Sequence, residues 1–293
     1  VLTRLVESIR KMVLAESERQ GKPFLLSARV PVTNGLCRHI GIDIAAWLQA
    51  GLIDVLTLSG GYVAFDQPVA GLIELGHEHG VPVYPCLSQS GLMYRPPRGK
   101  GEPQPPGAWN GGAARFWEAG ADGIYTFNLF PGPGTPEQRD FAVTVLKTIG
   151  SKETLARADR IFAVCDAGWS MPAHYWAKDA EEFSHALPVT LSDQLATTVP
   201  LIVAGPITAD EAKASTELRL DFTGLSDSDV PSVAFNAHPL GQPLKSENVA
   251  DVRRFHFSVP TTKIRPGRND IRVGAISDKV KLAGADLWLK MGT

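Results

Sequence analysis

The sequence predicts an α/β part joined to an all-β part: a half (β/α)8 barrel of four parallel βα units, then a β-sandwich. Three observations predict it. Short apolar runs alternate with helical patterns up to residue 149, tight glycine turns lead helices into strands, and helical periodicity gives way to short β-type runs after residue 187. A chain of 293 residues is long enough for two parts, each with its own core. The expected boundaries are 1–150 for the half barrel, 151–186 for a connector and 187–293 for the sandwich.

The opening helix spans residues 2–20. Leu2, Leu5, Val6, Ile9, Val13 and Leu14 recur near helical spacing, and Gly21 with Pro23 stops it. Strands are expected at 24–30, 53–58, 81–87 and 123–128. Their near-continuous apolar character is what a parallel sheet covered on both faces requires. Helices are expected at 43–50, 68–79, 113–119 and 136–149. Gly51, Gly80 and Gly120 carry the helix-to-strand turns, so these turns share one rim. The longer loops after the strands, including 88–112, share the other rim, where barrel enzymes keep their sites. Later strands are expected at 197–203, 215–222, 232–235, 253–259, 269–274 and 285–290, separated by turn signals. Residues 150–186, with Trp169, Tyr175 and Trp176, read as a connector packed across both parts.

Composition narrows the partners. Lys+Arg 29 against Asp+Glu 31 gives no one-sided basic field for nucleic acid or an anionic membrane, and no apolar run approaches the roughly 20 residues of a membrane span. Cys37, Cys86 and Cys165 lie far apart and read as buried free thiols, with a Cys37 to Cys86 bridge left open. Cys37 with His39, and His77 with His79, are too small as clusters to specify a metal. No P-loop, dinucleotide fingerprint or Gly-x-Ser-x-Gly elbow occurs, so neither cofactor nor metal is expected. No leader pattern is visible at the opening.

At Ala28-Arg29-Val30-Pro31, at Gly41-Ile42-Asp43 with Trp47, at Gly51-Leu52-Ile53-Asp54 and above all at residues 120–128, Gly-Ala-Asp-Gly-Ile-Tyr-Thr-Phe-Asn, the chain resembles bacterial glycosyl-hydrolase-like barrel proteins. The resemblance covers roughly residues 22–160 and implies the second half of a (β/α)8 barrel with a sandwich behind it. It implies a glycoside hydrolase acting on a saccharide or glycoside, or a non-catalytic carbohydrate-binding or scaffold protein, and an exported or periplasmic location. The first four βα units have no counterpart. The expectation is therefore a homodimer that pairs half barrels edge to edge, or a missing N-terminal half.

Glycoside hydrolysis needs two carboxyl groups about 5 to 9.5 Å apart. Asp66, after the Gly60-Gly61 loop, is the first catalytic candidate and Asp43 the second. Both precede helices, where capping is the commoner role of a carboxylate. Asp54 and Asp122 stand at strand entrances on the opposite rim and read as packing residues. Arg29, Tyr62, Gln89, Tyr94, Trp109 and Asn128 supply the donors, acceptors and aromatic faces that suit a sugar ring. Arg29 and Asn128 serve equally well as loop anchors.

Overall fold

The computed structural model describes residues 1–59, 65–88, 105–132, 134–164, 187–205, 215–226, 228–249 and 251–291. Its first part runs α1 (Leu2–Gln20), β1 (Ser27–Val30), α2 (Asn34–His39), α3 (Ile44–Gln49), β2 (Val55–Leu58), α4 (Ala70–Glu78), β3 (Val83–Ser88), α5 (Pro106–Glu118), β4 (Tyr125–Phe127), α6 (Pro136–Ile149) and α7 (Lys152–Leu155). The strands pair in parallel in the order β1-β2-β3-β4. Sequential order without reversal has a physical consequence. Right-handed crossovers between successive neighbours all pass over the same side of the sheet, so one face is helix-covered and the other is bare of helices among the described residues.

Packing agrees. Val30, Leu56, Leu58, Val83 and Leu87 share one face by strand alternation and are all buried. A side chain at Gly76 of α4 would collide with Val83, and one at Gly112 of α5 would come 2.9 Å from Leu87 Cδ2. The helices therefore sit directly on this face. The sheet is open: among the described residues β1 and β4 are its two edges, and no barrel closes. Nor is any described helix long and apolar enough to cross a membrane.

The rim formed by the strand entrances is locked twice by the same device. Asp54, just before β2, accepts from Leu26 N at 2.7 Å and from both terminal nitrogens of Arg10 at 2.6 and 2.9 Å. Asp122, before β4, accepts from Val83 N at 2.7 Å and lies 2.9 Å from His77 Nε2. Arg10 and the Leu26 N–H hold the Asp54 carboxyl below its ordinary range. Partial burial pushes Asp122 up, but the Val83 N–H and His77 outweigh it and hold that carboxyl low as well. A folded-state pKa below the unfolded one adds stability above the unfolded value and loses it as pH falls through the folded one. The α/β part is therefore expected to weaken below about pH 4. Urea melts at pH 7 and pH 3 check this, and Asp54→Asn should remove part of the difference.

The remaining strands are β5 (Arg160–Val164), β6 (Val189–Thr190), β7 (Thr197–Val203), β8 (Ser215–Thr223), β9 (Val233–Phe235), β10 (His238–Pro239), β11 (Lys245–Val249), β12 (Val252–Ser258), β13 (Gly267–Val273) and β14 (Lys281–Lys290). They form a four-stranded sheet, β10-β9-β13-β7, and a larger one, β11-β12-β8-β14-β5, with β6 also on β14. Phe222, Phe255, Phe257 and Leu287 of the larger sheet share one core with Leu201, Phe235 and Ile271 of the smaller. Residues 160–164, expected in the connector, are instead an edge strand antiparallel to β14, with Ile161 turned to the α/β core and Phe162 to the sheet-on-sheet core. Trp169, Tyr175 and Trp176 lie outside the described residues.

Candidate functional site

Register identifies what lies on the bare face. Arg29 pairs with Thr57 and Thr57 with Tyr84, while Cys86 pairs with Tyr125 and Ser88 with Phe127. Alternation adds Ser27, Val55 and Ser59 to the same side. Arg29 and Tyr125 are exposed and Tyr84 and Phe127 half-buried, whereas Thr57, Ser59, Cys86 and Ser88 form a buried floor. The face is polar and aromatic where its opposite is aliphatic. The Arg29 guanidinium carbon lies 5.2 Å from the centre of the Phe127 ring. Those residues stand on the two edge strands, so their side chains lean toward each other across the face.

Arg29 is the one charged side chain on the described part of this face. The Cys86 thiol beneath it is pushed up to about 11 by burial, against the opposing effects of the Ser59 hydroxyl and the Arg29 charge. Burial likewise pushes Cys37 up to about 12. Neither is a thiolate at neutral pH, so neither is a nucleophile. Both are free thiols. The described residues gather no group of three or more His, Cys, Asp or Glu that would hold a metal ion.

The loop returning from β2 crosses the carboxyl end of β3. Gln67 Nε2 donates to Cys86 O at 2.7 Å, and the Arg115 guanidinium of α5 donates to Asp66 O at 3.0 Å and Phe65 O at 3.4 Å. Asp66 is half-buried here. It does not cap α4, whose N-cap is Val69 with no side-chain bond. Asp43 does cap: its Oδ1 accepts from Ala46 N at 3.1 Å at the start of α3. That places its carboxylate at the start of a helix, where it has a capping role.

Arg29 and Asn128 come to one rim, Asn128 in a left-handed conformation (φ 58°) directly after Phe127. Trp109 does not join them. It is fully buried in α5, with Phe65 at 5.4 Å and Phe141 at 6.4 Å edge-on to its ring, so it is a core residue and offers no free face to a sugar. The helix expected from residue 113 starts instead at Pro106, a residue that suits a first helical position, and that turns Trp109 inward. Tyr62, Gln89 and Tyr94 lie outside the described residues. Sequence reasoning missed Tyr84, Tyr125 and Phe127; their signal was the period-two alternation of Tyr84, Cys86, Ser88 and of Tyr125, Phe127 within runs read as uniformly apolar.

A separate cavity of about 420 Å3 lies on the helical side, walled by Val32, Thr33, Asn34, Leu72 and Leu75 with Glu74 and Glu78. It does not include the bare face.

No protein-family model matches this chain, and no curated protein matches it. Among solved structures it is similar to a β-porphyranase of glycoside hydrolase family 86 from the human gut bacterium Bacteroides plebeius. The likeness covers 38% of this chain and 20% of that one, with 14% identity and a TM-score of 0.31. Two structures of BuGH86 in complex with neoagarooctaose, one of a variant, match over 45% of this chain and 19% of theirs, with 10% identity and the same TM-score. The chain spans about a fifth of the length of these structures. A likeness this weak transfers no residue roles.

Proposed function

We propose that this chain is a carbohydrate-active protein that holds a neutral saccharide against the bare face of its parallel sheet. The observation that carries the reading is the composition of that face: a guanidinium, two tyrosines and a phenylalanine over a floor of hydroxyls. Sugars are bound by hydrogen-bond donors and acceptors beside aromatic faces that take their C–H side, and these residue types supply both. Asn128 at the rim adds an amide, and Tyr62, Gln89 and Tyr94 complete the proposed set of sugar contacts. Arg29→Ala and Tyr125→Ala should each weaken oligosaccharide binding roughly tenfold, the worth of one hydrogen bond to a charged group or one stacked ring. Both side chains are exposed, so the melting temperature should stay put. Calorimetric titration with neutral oligosaccharides checks this, and undiminished affinity in both variants would refute the site.

Glycoside hydrolysis is the reaction this site would serve, with Asp66 as acid, base or nucleophile. No carboxylate stands on the described part of the bare face, so the chemistry depends on Asp66 and on a second carboxylate from elsewhere. Asp66→Asn is expected to lower turnover of a chromogenic glycoside at least about a hundredfold. Unchanged turnover would leave a non-catalytic carbohydrate-binding protein.

The partner that fits the open sheet is a second copy of the chain, its β4 set beside β1 to restore eight strands. Support comes from the apolar side chains exposed on α1 and at the entry to β1, namely Leu5, Met12, Leu14, Phe24 and Leu25. Met12, Val13 and Phe24 line a groove of about 460 Å3 there. Sedimentation should show a dimer that Met12→Glu dissociates; a stable wild-type monomer would contradict it.

A further inference from the structure

The outer side of the larger antiparallel sheet carries a second polar cluster, remote in sequence from the parallel strands. Strand pairing sets Glu217 of β8 between Ser258 of β12 and Trp288 of β14, and Ser215 beside Lys290. Glu217, Ser215, Ser258 and Lys290 wall a cavity of about 320 Å3 together with Thr261 and the apolar Leu244, Val259 and Pro260. Its polar groups are balanced, one carboxylate against one ammonium, with hydroxyls between.

Glu217 is the informative member. Arg219 Nε donates to its Oε1 at 2.6 Å, and His256 Nδ1 lies 2.9 Å from the same oxygen. His256 is itself fully buried and reaches Glu247 Oε1 at 2.8 Å through its other ring nitrogen. Two partners thus fix one oxygen of the carboxylate and orient the group, while Oε2 has no hydrogen-bond partner among the described residues. Burial pushes the Glu217 carboxyl up, but His256 and Arg219 outweigh it and hold it below the ordinary range, so it is an ionised acceptor at neutral pH. Arg219 is held in turn, its guanidinium carbon 3.5 Å from the Trp288 ring centre. The Thr216 hydroxyl is already spent on Val259 O.

We propose that this cavity is a second saccharide site, in which Glu217 Oε2 accepts from a sugar hydroxyl, Lys290 donates to another, and Leu244 with Pro260 takes the C–H face. A pre-oriented acceptor, a donor across a small cavity and an apolar wall suit a neutral polyhydroxylated ligand. A lone cation would meet Lys290 and a lone anion Glu217. The site is independent of the one on the parallel sheet and stands if that one binds nothing.

The test follows the Trp288 indole N–H signal of the full chain by NMR, assigned with Trp288→Phe, because Lys290 Nζ lies 5.9 Å from that ring. The probes are cellohexaose, xylohexaose, mannohexaose, laminarihexaose and neoagarooctaose, with hexagalacturonate and spermidine as charged alternatives. At least one neutral probe should move the signal saturably. Glu217→Gln should weaken that response about tenfold, and Ser258→Leu, which fills the cavity from an exposed position, should abolish it. Arg29→Ala should leave it in place. The proposal is overturned if no neutral probe moves Trp288, if only a charged probe does, or if Glu217→Gln and Ser258→Leu respond as the wild type does. A response lost in Arg29→Ala but kept in Ser258→Leu would also overturn it, while leaving the parallel-sheet site intact.

Discussion

Gly111→Ala is expected to destabilise the protein by about 3 kcal/mol or more. Ala is a better helix former than Gly by about 1 kcal/mol, so propensity alone predicts the opposite sign. Packing decides. A Cβ at Gly111 would run into the Ile161 carbonyl oxygen and come 2.8 Å from its carbon. These are backbone atoms of β5, held in the sheet by β14, so no side chain can swing aside. Asn110 beside it donates to Asp159 O at 2.9 Å, which ties the same turn of α5 to the chain entering β5. Separating helix and strand would open the seam between the α/β core and the sheet-on-sheet core. Gly71→Ala is the matched control: Gly71 lies exposed in α4, a methyl group added there would meet nothing within 4 Å, and the variant should gain about 0.5–1 kcal/mol. Thermal melts of the pair should move in opposite directions.

Asp221→Ala is expected to cost about 3–5 kcal/mol. Arg254 Nε and Nη2 donate to the two oxygens of Asp221 at 2.7 and 2.9 Å, and the side chains are 10% and 2% exposed. The planar fork matches the carboxylate, but the attraction only offsets the cost of taking both charges out of water. Truncation is therefore expensive because it removes the acceptor matched to a buried guanidinium. Replacing both partners, as in Asp221→Leu with Arg254→Met, should recover most of the loss. Chemical denaturation of the single and double variants measures this. A double variant as unstable as the single one would mean that Arg254 is needed for its other contacts.

The elements that were legible in the sequence were those whose local chemistry and tertiary role agree. Thr135-Pro136-Glu137-Gln138 announces α6, and the structure shows the reciprocal capping box between Thr135 and Gln138. Residues 197–203 read as a strand and are β7 to the residue. Legibility failed where tertiary packing overrode local signals. Gly111 and Gly112 look like helix breakers, yet they lie within α5 because β5 and Leu87 approach too closely for a side chain. The strand β11 carries mostly exposed residues at a sheet edge, so no alternation betrays it. The bare face was hidden for another reason. Apolar content per strand looks uniform, but in the run Val83–Ser88 only every second residue lies on the helix side. Of the residues expected to bind sugar, Arg29 lies on the bare face and Asn128 at its rim, while the ring found opposite Arg29 is Phe127 and not Trp109.

The bare face of the β1-β2-β3-β4 sheet is where a saccharide is expected to sit. The most direct measurement is an NMR titration of the ring signals of Tyr84, Tyr125 and Phe127 in the full chain with neutral oligosaccharides. All three should shift together along one binding curve, and Arg29→Ala should weaken that curve. Rings that stay unmoved at saturating oligosaccharide would contradict it.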